Sequence, residues 1–221
     1  MCARTADGPG AGRIDKRRAI LDAAFAVFAR LGYEQAGVRE IADAAGVAKP
    51  TVYNHMADKE SLLREALLRA ADQVGADCLA AVERLRDPGA DLGSALENTA
   101  QRLLRVCAGD TSHALRRLAA AQSNRLPDLV TLVRERTATR TLDALTDRLG
   151  LLALSGRLRI TDPAVAAEQF LALLTGPLEN RSAQGARKVP RAELGAIAAA
   201  AVRTFLAAYG SDDQAEAARA S

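Results

Sequence analysis

The 221-residue chain has no tryptophan, only three tyrosines and four phenylalanines, and only two histidines. With His55 and His113 as the whole histidine supply, no His/Cys/Asp spacing suits a zinc site and no nucleophilic triad can be assembled. No metal, no cofactor and no catalysis are therefore expected. The cysteines Cys2, Cys78 and Cys107 are odd in number and far apart, and the first residues do not read as a hydrophobic leader, which disfavours a secreted disulfide scaffold. A reducing cytoplasm is the expected compartment, with Cys78 and Cys107 read as small buried hydrophobes. Long apolar runs are missing too. The longest alanine-rich stretch, Gly195–Val202, falls far short of the roughly 20 residues of a membrane helix, so no membrane is expected. Nor is there an excess of one charge. Residues 1–60 hold nine Lys+Arg against eight Asp+Glu and residues 61–221 hold 21 against 19, so net charge makes no case for nucleic acid.

What is abundant is alanine, leucine and arginine, while β-branched residues are thin, and that is a helical composition. Residues 1–13, with Gly8-Pro9-Gly10-Ala11-Gly12, read as a flexible arm. From Asp15, a candidate N-cap, Ile20, Leu21, Ala24, Phe25, Phe28 and Leu31 recur at helical spacing until Gly32 ends the run. A short helix over Val38–Ala45 stops at Gly46, and a third of barely two turns covers Pro50–His55. Asp58 then caps a long helix to about Leu85, broken by Asp87-Pro88-Gly89. Further amphipathic helices are predicted over Asp91–Cys107, Thr111–Ser123, Pro127–Ser155, Pro163–Leu174 and Pro190–Tyr209, with Gly176–Val189 a loop and residues 211–221 a tail. The predicted fold is all-α: a three-helix domain over 14–60 and a larger helical domain over 61–210.

One constellation carries function. In Val38–Val52, Ala42 is followed four residues later by Gly46 and six later by Val52, the types a helix-turn-helix needs. The small alanine lets two helices cross closely, the glycine takes a positive φ in the turn, and the valine faces inward from the second helix. Taking about 100° per residue with Val52 inward, Met56 and Lys49 fall on the inner side while Pro50 and Asn54 point away, flanked by Thr51 and Tyr53. Asn54 is the expected base reader, since an amide can make a bidentate contact with adenine. Pro50 suits a thymine methyl, and the Thr51 and Tyr53 hydroxyls suit phosphates. Lys59 follows the Asp58 cap, where helix dipole and ammonium favour an anion, while Arg13, Lys16, Arg17 and Arg18 crowd the first helix and Arg39 opens the second.

These residues carry a resemblance. Arg17–Leu63, with Gly32-Tyr33, Ile41-Ala42, Ala45-Gly46-Val47 and Thr51-Val52-Tyr53-x-His55-Met56-x-x-Lys59-x-x-Leu62, closely resembles the DNA-binding domain of TetR-type transcriptional regulators. The resemblance implies that Thr51, Tyr53, His55 and Lys59 hold phosphates while Pro50, Asn54 and Arg39 approach bases. Arg17 and Lys49 complete the candidate DNA-binding set. Met56 stands where many relatives have phenylalanine, and Ala48-Lys49 where many have serine or threonine. The resemblance further implies a helical ligand-binding domain and a homodimer through the helices near 163–174 and 190–209. The expected function is a repressor that binds a pseudo-palindromic operator in double-stranded DNA. A small, apolar effector releases it by changing the tilt of the long helix and so the half-site spacing. Two other readings stand beside it: a helical protein-interaction module without sequence-specific DNA binding, and a small helical enzyme.

Overall fold

The computed structural model describes residues 11–183 and 185–211, with side chains from Ile14 onward. Ten α-helices follow one another: α1 Ala11–Gln35, α2 Val38–Ala44, α3 Lys49–His55, α4 Lys59–Val82, α5 Leu92–Cys107, α6 Asp110–Ala121, α7 Pro127–Arg134, α8 Arg140–Leu154, α9 Pro163–Ser182 and α10 Arg191–Tyr209. A 3-10 turn, Glu83–Arg86, ends α4, and a π-helical turn, Glu135–Thr139, joins α7 to α8. Among the described residues no strand forms, and Leu158 and Gly210 make a single antiparallel bridge. The all-α reading holds.

Local chemistry explains where several helices begin or end. The Asp91 carboxylate accepts from the Ser94 amide at 2.9 Å, and that of Asp162 accepts from Ala164 and Val165 at 3.0 and 3.1 Å. Pro163 follows at the first helical position, where no N–H is needed. Gly32, at φ 77°, interrupts α1 where the apolar run ends.

Four expectations need correction. Helix α1 starts at Ala11, so Asp15 lies inside it and residues 11–13 do not belong to an arm; the rest of that arm and residues 212–221 of the tail lie outside the described residues. The expected loop from Gly176 is helical to Ser182, although Pro177 cannot donate a hydrogen bond to the preceding turn. Phe170, Leu174, Leu178 and Ser182, spaced by four, are all buried, and extending that stripe outweighs the lost bond. Pro127–Ser155 is not one helix, because the π turn divides it. Finally, α10 does have the length and composition to cross a membrane, with mean hydropathy 1.3, but its Leu194, Ile197, Ala198, Ala201, Val202, Phe205 and Leu206 are core residues.

Packing gathers the chain into two compact units drawn from discontinuous segments, rather than at the sequence boundary of residue 60. The first comprises the described residues up to Ala71 with Ala114–Val133. Its core holds Ile20, Ala24 and Phe28 of α1, Ile41 of α2, Val52 of α3, and Leu62, Leu63 and Leu67 of α4. The second comprises Asp72–His113 and the described residues from Arg134 onward. There Leu96, Leu103 and Leu104 of α5, Leu145 and Leu149 of α8, and the inner faces of α9 and α10 form one cluster. Phe170 meets Phe205 edge-on at 5.0 Å between ring centroids.

Candidate nucleic-acid interface

The turn between α2 and α3 is closed by its own backbone. The Val47 amide donates to the Ala42 carbonyl at 3.0 Å and the Gly46 amide to that of Asp43 at 3.2 Å, the paired bonds that end a helix through a left-handed residue. Gly46 supplies that residue at φ 66°, where a side chain would be strained. Ile41, Ala42 and Val52 are buried together, so α3 is anchored by a single side chain within its own span and by Met56 at its end.

That leaves the rest of α3 to solvent. Pro50, Tyr53 and Asn54 are exposed, Thr51 and His55 half-buried. The Asn54 side chain makes no hydrogen bond to a described residue, so both its donor and its acceptor are open. The wheel placement of Lys49 on the inner side does not hold: Lys49 is exposed and its ammonium lies 5.8 Å from the centre of the Tyr53 ring, one turn on. At the first helical position its stem is free to swing outward. The α3 N-terminus has Ala48 as N-cap with no side-chain hydrogen bond, and Pro50 follows within the first turn. Pro50 has no amide hydrogen and the Thr51 amide already donates to the Ala48 carbonyl at 2.8 Å, so this end is not a row of open amides.

The cationic frame is only partly as expected. Arg39 is exposed and has no ion pair or hydrogen bond with a described residue. Arg17 lies in the second turn of α1 and pairs with Glu65 of α4. The α4 N-terminus is not an open anion site, because the Asp58 carboxylate accepts from the Ser61 amide at 2.7 Å. Those hydrogen bonds to Ser61 hold the Asp58 carboxyl below its ordinary value. Lys59 accordingly turns away, donating to the Glu34 carbonyl at 3.2 Å and lying 4.5 Å from the Tyr33 ring centre.

A residue the sequence did not single out completes this cluster. Arg125 donates to the Tyr33 hydroxyl at 3.1 Å and to Glu60 at 2.6 Å, with its guanidinium 4.5 Å from the same ring. Arg64 pairs with Asp128 at 2.7 Å, and Arg117 donates to the Ala29 carbonyl. These bonds tie the segment 114–133 to the end of α1 and the start of α4, across separations that periodicity cannot reveal.

Comparison with known proteins agrees with this geometry. Residues 20–66 match the family model for bacterial regulatory proteins of the tetR family, and residues 94–211, just over half of the chain, that for the AefR-like transcriptional repressor C-terminal domain. The crystal structure of a TetR-family transcriptional regulator from Mesorhizobium loti MAFF303099 is 33% identical, with TM-score 0.82, over 90% of this chain and 98% of that one. The flavonoid-responsive regulator FrrA is 27% identical with TM-score 0.69, again over 90% and 98%. The HTH-type transcriptional activator FasR of Mycolicibacterium smegmatis is 38% identical over 85 residues, 38% of this chain and 39% of that protein. The chain thus spans well under half the length of this curated relative.

Proposed function

The chain belongs to the TetR family of bacterial regulatory proteins, and on that premise we propose that it is a sequence-specific DNA-binding transcriptional repressor released from its operator by a small molecule. The observation that carries this is the outer face of α3: a short helix anchored by Val52 that leaves Pro50, Tyr53 and Asn54 exposed, with the amide of Asn54 unengaged. In this reading α3 enters the major groove, Asn54 and Pro50 meet base edges, and Arg39 approaches a base from α2. Thr51, Tyr53, His55 and Lys49 contact the flanking phosphates. Arg17 and Lys59 reach phosphates only by giving up their bonds to Glu65 and Glu34. The repressor sense is supported by the family matched over 94–211, whereas FasR is an activator.

Two features of the second unit support the remaining parts. The face of α9 and α10 around Gln169, Ala172, Leu173, Thr204 and Ala208 leaves an apolar groove of about 420 Å³, and Ala196 and Ala200 are exposed beside it. Small side chains on two long helices suit close packing against a second copy, giving the homodimer that a pseudo-palindromic operator requires. The Thr99 hydroxyl of α5, fully buried, has no hydrogen-bond partner, an arrangement costing about 1–3 kcal/mol. An apolar effector carrying one polar group would satisfy it. Helix α4 has residues in both compact units, Lys59–Ala71 in the first and Asp72–Val82 in the second, and is the route by which an effector acts on the first unit.

Fluorescence anisotropy with DNA from upstream of the protein's own gene tests the reading. Binding at physiological salt is expected to exceed that to scrambled DNA by about 10³ or more. Equal, weak and steeply salt-dependent binding to the upstream and scrambled fragments would sink operator recognition there and favour the protein-interaction reading.

A further inference from the structure

Two cations converge on one ring in the first unit. Tyr33 is stacked on the buried Phe28 of α1, with ring centroids 6.0 Å apart, which anchors it. The Lys59 ammonium and the Arg125 guanidinium each lie 4.5 Å from the centre of the Tyr33 ring, so they are no more than twice that distance apart. That is about one screening length in physiological salt, close enough for like charges to repel. They also share a neighbourhood of acceptors. Lys59 donates to the Glu34 carbonyl at 3.2 Å. Arg125 lies 3.9 Å from the Glu34 carboxylate, donates to the Tyr33 hydroxyl at 3.1 Å, and donates at 2.6 Å to Glu60, the residue after Lys59.

The two cations are not held equally. Arg125 engages a hydroxyl and two carboxylates through a planar fork, whereas Lys59 has one carbonyl and one ring face on a flexible stem at the first residue of α4. Lys59 is therefore the one that can leave. Its departure strands no acceptor, because Arg125 stays beside Tyr33, Glu34 and Glu60. Removal of Arg125 has a different result. Neither Glu34 nor Glu60 forms another ion pair with a described residue, and Arg64, one turn along α4, is taken by Asp128 at 2.7 Å. Lys59 would then be the nearest uncommitted cation to both carboxylates.

We propose that Arg125 is a positioning residue for DNA binding: it holds Tyr33, Glu34 and Glu60 so that Lys59 is free to leave them for a DNA phosphate. The inference rests on the reading that α3 and the cations around it engage DNA. As a duplex approaches, the Lys59 ammonium exchanges the Glu34 carbonyl and the Tyr33 ring for a phosphate oxygen, and the exchange is favoured because it also takes Lys59 away from the Arg125 charge. Arg125 keeps its own bonds throughout and touches no DNA. Without the guanidinium, two carboxylates compete with the phosphate for the same ammonium, and Lys59 remains at the protein. Arg125 thus acts through Lys59 alone, and its effect is a count of phosphates contacted rather than a change in the bases read.

The test reads the slope of log affinity against log salt for the full-length chain, by anisotropy, on the upstream duplex and on a scrambled one. A lost phosphate contact makes that slope shallower by about 0.9. Lys59→Ala and Arg125→Gln are each expected to lose about 0.9, and the double variant to lose about 0.9 in total rather than twice as much. Arg125→Lys, which keeps the charge, is expected to return the parent slope. Preference for the upstream duplex should stay unchanged in all of them. Partial unfolding lowers the active fraction but not the slope, so a merely structural role for Arg125 leaves the slope at the parent value. The proposal is overturned if Arg125→Gln keeps the parent slope, if Lys59→Ala does, if Arg125→Lys behaves like the glutamine variant, or if the double variant loses about twice as much, which would make Arg125 a phosphate contact itself. Equal affinity of the parent for the two duplexes sinks operator recognition, yet the slopes on either duplex still decide the role of Arg125. A parent that binds neither overturns both.

Discussion

Helices α3 and α10 are both incomplete surfaces, and they are incomplete in opposite ways. Helix α3 has seven residues, and the one it buries is Val52. What it exposes is Lys49, Pro50, Tyr53 and Asn54, a mixed face in which the Asn54 amide is without a partner. Helix α10 has 19 residues, buries seven, and exposes alanines along its other side. A polar face without partners is well solvated and costs the isolated chain little, whereas an apolar face is covered only by another apolar face. The proposed function uses this contrast, matching the first to a hydrated, charged partner such as DNA and the second to a copy of the chain.

The comparison can be broken at either helix. The largest effect is expected from Phe170→Ala, which removes a fully buried ring facing Phe205 under α10 and should cost about 3–5 kcal/mol in urea unfolding. A cost under about 1 kcal/mol would show that the core beneath the seam is not packed as described. Next, Ala200→Glu places like charges across the proposed two-fold seam while leaving the protomer's core untouched. Sedimentation should show the dimer dissociation constant rising about a hundredfold, roughly 2.7 kcal/mol, and an unchanged constant would place the dimer elsewhere. Asn54→Ala should weaken the preferred operator by about 1–3 kcal/mol, relax selectivity at one base pair and leave the unfolding midpoint unchanged. A uniform loss on all DNAs would make Asn54 a phosphate contact instead. Lys49→Ala should lower the slope of log affinity against log salt by about one, without changing sequence preference.

The smallest effect concerns pH. The Asp58 carboxyl is held below its ordinary 3.8 by the Ser61 amide, so its capping contribution is present above that value and is lost as pH falls through the lower folded value. The urea midpoint of Asp58→Ala should therefore fall less steeply below about pH 4 than that of the parent. Equal slopes would remove Asp58 from the acid response.

The turn chemistry was legible because each signal is local. Gly46 after Ala42, Asp58 before its helix, and Asp162 before Pro163 each act within a few residues, and the structure finds each where the spacing placed it. The outward direction of Asn54 follows in the same way from one inward valine. Lys49 was misplaced because a wheel treats a first-turn residue with a long flexible stem as if it were mid-helix. Gly176-Pro177 read as a loop because local propensity was weighed without the burial of Leu178 beyond it, which only the packed partner helices supply. Arg125 carried no signal at all, since its role exists only where Tyr33 and Glu60 come together.

By itself the sequence determined the all-helical class, the order of the elements, the helix-turn-helix and the face α3 turns outward, because those depend on interactions among residues a few places apart. Tertiary structure alone decided that 114–133 packs with the N-terminal helices, that Lys59 and Arg17 are already engaged, and that α10 is core on one side only. Those outcomes rest on contacts between distant segments, and no spacing along the chain encodes a distance across it.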